Sequence, residues 1–206
     1  SFFLALFILW AVLIAAGFLV LGPRVFKLIW DVRAPGLIAF ATASSEAAYP
    51  RLLEQLERHG IANRVVSFVL PLGYSFNLDG SMMYCTFAVM FIAQAMGIHL
   101  DIGQQIGMLL LLMVTSKGIA GVPRASLVVI SATLPAMGMK PEWIALVLAV
   151  DAFMDMGRTA TNVIGNSIAS AVIAKWEGLL SDPTKDTPAV ESVLGSGESE
   201  GRAANT

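Results

Sequence analysis

Charge is scarce in this sequence, and cysteine scarcer. Only 14% of the 206 residues are charged, against 56% hydrophobic, where a soluble domain carries about a quarter charged residues. That shortage excludes a soluble globular domain and leaves an integral membrane protein. The basic residues are scattered between apolar blocks and never cluster, so the footprint of a nucleic-acid binder is missing. The single cysteine, Cys85, can close no disulfide within the chain and reads as a small buried residue in an apolar run. His59 and His99 fall between apolar blocks and read as solvated side chains rather than ligands. Neither Met nor a basic signal-peptide region precedes the first apolar run, which opens at Ser1. The expectation is a segment of a longer protein whose earlier spans precede it.

What is there is hydrophobic sequence broken at intervals by polar clusters. Residues 1–22 hold a charge-free run of some twenty residues, long enough to cross about 30 Å of hydrocarbon as a helix. Arg24, Lys27 and Arg33 follow. The apolar piece 34–43 is about ten residues long, contains Pro35-Gly36 and ends in Thr42-Ala43-Ser44-Ser45-Glu46. Too short to cross and flanked by Lys/Arg on both sides, 23–62 reads as a re-entrant hairpin returning to its own face. Residues 63–97 form a second long apolar segment, interrupted by Asn77-Leu78-Asp79-Gly80. That is turn chemistry, tolerated at membrane depth only inside protein or beside a cavity. The loop 97–103 has no Lys or Arg and is expected on the external side.

A second short-armed segment, 104–139, turns at Ser116-Lys117-Gly118-Ile119-Ala120-Gly121-Val122-Pro123-Arg124 and reads as a hairpin entering from the opposite face. Residues 141–178 make a second broken span. From Ser181 on, Asp, Pro, Ser, Gly and Glu dominate, so 179–206 reads as a disordered cytoplasmic tail. The fold class is all-α membrane protein. Hairpin, broken helix, hairpin, broken helix is the order of an inverted repeat, in which discontinuous helices and hairpin tips meet around a solute at the midplane.

The chemistry concentrates in the last span. Asp151, Asp155, Arg158, Asn162 and Asn166 fall within an arc of about 80° on a helix. In lipid, charges of this kind must face protein or a water-filled cavity. Arg158 offers a planar fork that matches a carboxylate two-to-two. The plainer alternative is an internal ion pair with Asp155 or Asp151. If Asp155 instead accepts an ammonium, the ligand carries a carboxylate and an α-amino group. Asp151 reads equally as a helix-stabilising or a gating partner. Asn77 and Asp79 bring hard oxygens to an unwound backbone suited to a small cation, or Asp79 simply caps the following half-helix. The two tips, Ser44-Ser45-Glu46 and 118–123, offer N–H groups suited to an anion. An intramembrane aspartyl protease would need carboxylates that share a proton, and Arg158 beside them defeats that.

On these four ordered motifs the chain, over about residues 1–178, resembles the dicarboxylate/amino acid:cation symporter family, the glutamate transporter homologues. Within it the closest likeness is to bacterial proton-coupled glutamate/aspartate symporters. The resemblance implies a multi-pass protein of the bacterial inner membrane. A mobile transport domain there slides against a homotrimeric scaffold in an elevator mechanism, and the scaffold spans lie outside this chain. It implies no enzymatic activity and no cofactor, with a small acidic solute and the lipid bilayer as partners and no nucleic acid. Arg158 would take the side-chain carboxylate and Asp155 the amino group, with Ser45, Ser81, Val122, Thr159 and Asn162 completing the pocket. Gly73, Asn77, Asp79, Asn162 and Asn166 match cation-site positions where sodium is possible.

The departures point toward protons. Sodium-coupled members usually have Met where Leu78 stands and Asp where Asn166 stands, and Lys117 places an ammonium near a further cation site. Glu46 and Asp79 are the candidate proton carriers. Members often carry an arginine where Ala43 or Met156 sits, and a small residue where Arg124 sits. A C4-dicarboxylate:cation symporter, whose members tend to have Ser at the position of Asp155, is the alternative. A truncated, non-transporting fragment is the second.

Overall fold

A computed structural model describes residues 2–116 and 123–181. Every named element in it is helical: α1 Phe2–Leu21, α2 Arg24–Asp31, α3 Arg33–Thr42, α4 Ser45–Arg58, α5 Asn63–Phe76, α6 Asp79–Ala95, α7 Ile102–Thr115 and α8 Ala125–Ala136. A 3-10 turn, Pro141–Ile144, leads into the single turn α9, Ala145–Leu148, and then into α10, Asp151–Trp176. The expected second tip, with Lys117 and Val122, lies outside the described residues, as do 182–206.

The long helix α10 is the axis. It packs against α1, α3, α5 and α6, and most of its side chains between Asp151 and Ala174 are buried on every side. The sequence pattern, polar groups on one side and apolar on the other, therefore does not mark a lipid-facing stripe. The apolar side is core as well, packed with Leu28, Leu52, Leu56 and Leu70. Exposed apolar side chains lie instead on the surrounding helices, such as Leu4, Phe7, Ile8, Val12 and Leu19 on α1 and Ile102, Ile106, Leu110 and Val114 on α7. Both α1 and the stretch Asn63–Ala95 have the length and composition to cross a bilayer.

Close approach of α1 to α10 depends on small residues, the usual device where lipid gives helices no hydrophobic push toward each other. A Cβ on Gly17 would meet Ile168 at 2.9 Å, and one on Gly157 would meet Leu6 and Phe3 at 2.9 Å. One polar tie crosses the same seam, Trp10 Nε1–H donating to Thr161 Oγ1 at 2.8 Å. Trp10→Phe keeps most of the ring and removes that bond. We expect a loss of about 1 kcal/mol, read as a small drop in melting temperature of the purified protein.

Local chemistry sets the breaks. Between α3 and α4 the chain turns on Ala43, left-handed at φ 50°, and on Ser44, whose hydroxyl caps α4 by accepting from the Ala47 N–H. On α4, Ala48, Leu52 and Leu56, four residues apart, are fully buried, and α3 and α4 pack side by side. Asn77 and Leu78 interrupt the helix between α5 and α6. Asp101 and Gln104 form a capping box that starts α7.

Two expectations are corrected here. His59 is not solvated: it is 5% exposed, and its Nδ1 pairs with Asp31 Oδ2 at 2.6 Å, tying α4 to α2. A helix end that folds back onto a neighbouring carboxylate leaves no sign in local composition. His99 is exposed, as expected. Residues 179–181 do not start a free tail. Ala62 N–H donates to the Leu179 carbonyl and Ser181 N–H to that of Gly60, framing an isolated bridge between Ile61 and Leu180.

Candidate functional site

Five polar residues of α10 stack on successive turns and are shut away from solvent: Asp151 is 0%, and Asp155, Arg158, Asn162 and Asn166 are each 1% exposed. Arg158 Nε donates to Asp155 Oδ1, and its Nη1 donates to Ser81 Oγ at 2.9 Å. The internal ion pair weighed from the sequence thus exists. It does not exhaust the fork, because a second arm of the guanidinium reaches α6. A carboxylate has roughly four acceptor positions, and Asp155 accepts on its other oxygen from the Arg124 N–H at 2.8 Å.

Asn162 does something the sequence did not announce. Its Oδ1 accepts from the N–H groups of Gly80 (2.9 Å) and Ser81 (3.3 Å), while its Nδ2 donates to Ser81 Oγ at 2.9 Å. The start of α6 is therefore capped from another helix. Asp79 stands in the first turn of α6, and the cap position itself is Leu78, with no side-chain cap bond. Asn162 thus caps this half-helix from across the fold, at the turn that also holds Asp79. Gly80 is what lets the two elements meet: a Cβ there would collide with the Arg158 carbonyl oxygen and lie 2.9 Å from Thr161 Cβ.

One turn further along α10, the cation-site candidates gather. Asn77 Nδ2 donates to Asn166 Oδ1 at 3.1 Å, and the Asn77 N–H donates to the Gly73 carbonyl at 2.8 Å. Gly73 faces Asn166 Oδ1, and Gly165 faces Asp79 Oδ2, each so closely that an added Cβ would have to displace that oxygen. Among the described residues no three His, Cys, Asp or Glu side chains come together as a metal site would require.

The other candidates are dispersed. Ser45 is buried at the start of α4, and its carbonyl accepts from the Tyr74 hydroxyl at 3.0 Å. Glu46 is exposed. Thr159 turns its hydroxyl back to the Asp155 carbonyl at 2.7 Å. Asp151 accepts from the Tyr84 hydroxyl at 2.5 Å and has Arg124 Nε 3.4 Å from its second oxygen. Tyr74, Tyr84 and Trp10 were not singled out from the sequence. The available signal was a ring with a polar tip inside an apolar run, which must find a partner when buried. Cys85 is buried and free, as expected.

An ionised interior at the centre of membrane-length helices defines an integral membrane protein with a polar heart. The chain belongs to the sodium:dicarboxylate symporter family, whose model matches residues 1–176. It is 49% identical over 157 residues, 76% of this chain and 37% of the relative, to a proton/sodium-glutamate symport protein of Bacillus caldotenax. It is 51% identical over 156 residues (76% and 36%) to a proton/glutamate-aspartate symporter of Escherichia coli K12. It is also 46% identical over 194 residues (94% and 41%) to a C4-dicarboxylate transport protein of Pseudomonas syringae pv. syringae. The chain spans about two fifths of the length of these relatives.

Proposed function

We propose that this chain forms the solute-carrying part of a secondary active symporter that moves glutamate or aspartate into the cell. It would do so in the bacterial inner membrane, coupled to protons or sodium. The carrying observation is Arg158, a guanidinium 1% exposed that holds one carboxylate and one hydroxyl with separate arms of its fork. Such a group is costly to bury for structure alone, and ionised residues at membrane depth mark solute pathways. In this reading the substrate's side-chain carboxylate takes Arg158, and its ammonium takes Asp155. Ser45, Ser81, Val122, Thr159 and Asn162 close the pocket. Release of Asp155 from Arg158 accompanies binding, so the ion pair is the resting form of the receptor.

The segments 23–62 and 104–139 act as opposed re-entrant hairpins of an inverted repeat with two broken helices. The domain moves as an elevator against a homotrimeric scaffold formed by the rest of the full-length protein. Protons are favoured over sodium as the coupling ion. The amides of Asn77 and Asn166 pair with each other, and the Gly73 carbonyl is taken by a backbone N–H. Glu46 and Asp79 are the candidate carriers, with Gly73, Asn77, Asp79, Asn162 and Asn166 as the cation positions. Radiolabelled glutamate, aspartate and succinate uptake into proteoliposomes, with pH and sodium gradients imposed separately, tests both points. Uptake that survives collapse of the pH gradient but requires sodium overturns proton coupling.

A C4-dicarboxylate substrate is the second reading, favoured by the Pseudomonas relative. Asp155 separates the two, since a dicarboxylate has no ammonium to offer it. Asp155→Ser should cut glutamate uptake by about 30-fold or more, the cost of removing one partner of a buried charge pair, while sparing or creating succinate uptake. Equal loss of both solutes would remove the ammonium role.

A further inference from the structure

Arg124 sits where a side chain is least welcome. Its φ is 63°, in the left-handed region that glycine fills without strain. Its side chain is 63% exposed, yet the residue is fastened to α10 through both its backbone and its side chain. The N–H donates to Asp155 Oδ2 at 2.8 Å, and Nε stands 3.4 Å from Asp151 Oδ2. Asp151 is wholly buried. One of its oxygens accepts from Tyr84, and the other has no hydrogen-bond partner. The contact with Arg124 is thus an ion pair without a hydrogen bond, and it supplies the charge that faces that oxygen.

The groups facing Asp151 are Tyr84 from α6, Arg124 ahead of α8, and Asp155 and Arg158 from α10 itself. Two carboxylates meet two guanidiniums, and with both aspartates ionised the cluster sums to zero. Without Arg124 it would carry one net negative charge, set against a solute that is itself a net anion.

We propose that Arg124 is a tethered counter-ion: it balances the buried charge of Asp151 and holds Asp155 in place, so that an acidic amino acid enters a neutral cluster. This rests on the reading of Asp155 as the ammonium acceptor, and it makes Arg124 a positioning residue that acts through both aspartates. An ordinary exposed salt bridge would contribute little. Here one partner is fully desolvated, and removing the other strands a buried carboxylate.

The test compares the full-length parent with Arg124→Gln, Arg124→Lys, Asp151→Asn and the double variant Arg124→Gln/Asp151→Asn, all in proteoliposomes. Arg124→Gln should raise KM for glutamate about tenfold or more, with maximal rate per reconstituted protein within about threefold, because a buried charge is left unbalanced. Arg124→Lys, and the double variant that removes both charges, should bring KM back to within about threefold of the parent. Unchanged KM in Arg124→Gln, or a double variant no better than Arg124→Gln, overturns the proposal. The same four-way comparison of melting temperatures in detergent reads the Arg124–Asp151 coupling without any solute. A parent that takes up no acidic amino acid counts against the functional reading, and the melting cycle then decides the pairing. Additive shifts there overturn it, and a double variant more stable than Arg124→Gln supports it.

Discussion

Arg158→Gln in the full-length protein should abolish uptake of acidic amino acids and cost about 3–5 kcal/mol of stability. Both effects have one cause. Asp155 is 1% exposed and paired with Arg158, so deleting the guanidinium strands a buried carboxylate. The transport loss should exceed the stability loss, because the receptor for the substrate carboxylate vanishes as well. Arg158→Lys separates the two. An ammonium restores a positive charge near Asp155, but as a single point it cannot reach Asp155 and Ser81 Oγ through separate arms as the fork does. We expect most of the stability to return while uptake stays reduced by on the order of 100-fold, about 2.7 kcal/mol. The measurement is glutamate uptake beside a melting curve for each variant. Arg158→Lys with kcat/KM within threefold of the parent would show that the fork geometry is not what the solute reads.

Gly80→Ala should be nearly as damaging, though it touches no charge. The added methyl would run into the Arg158 carbonyl oxygen and come within 2.9 Å of Thr161 Cβ. Backbone on the receiving side cannot swing away, so α6 must back off from α10. The Asn162 bonds to the Gly80 and Ser81 N–H groups, at 2.9 and 3.3 Å, must lengthen with it. Overpacking costs roughly 1–3 kcal/mol when side chains can adjust, so the upper end, about 3 kcal/mol, is the expected loss here. Gly36→Ala and Gly107→Ala are the controls. Neither added methyl would have a neighbour within 4 Å, and in a helix interior alanine is favoured over glycine by about 1 kcal/mol. A Gly80→Ala protein as stable as these two would mean that α6 and α10 are not locked together at this point.

How far the sequence disclosed the site depends on the range of each contact. Asp151, Asp155, Arg158 and Asn162 are legible because helical spacing alone stacks them, and the break at Asn77 is legible because Asn-x-Asp-Gly is local turn chemistry. The all-helical class follows from the long apolar runs in the same way. The partners are another matter. Nothing near Asn162 says that its amide caps a helix eighty residues earlier, and nothing near Tyr84 names Asp151. Both are decided by which helices end up adjacent, and periodicity within one element carries no information on that. His59 failed for the same reason: its carboxylate, Asp31, lies twenty-eight positions back. Arg124 was noticed only as a departure from the family pattern, and its two aspartates became visible with the packing of α8 against the rest.

The bond between Trp10 and Thr161 spans 151 positions of chain. At a synthesis rate of about 5–20 residues per second, roughly 8–30 s separate the emergence of its two ends. From their own emergence until α10 follows, α5 and α6 must wait without the helix that caps and covers them, Gly80 and Ser81 N–H included. The ribosome therefore delivers the keystone after the helices it holds together. Until α10 inserts, the Gly80 and Ser81 N–H groups lack the Asn162 amide that they find inside the protein.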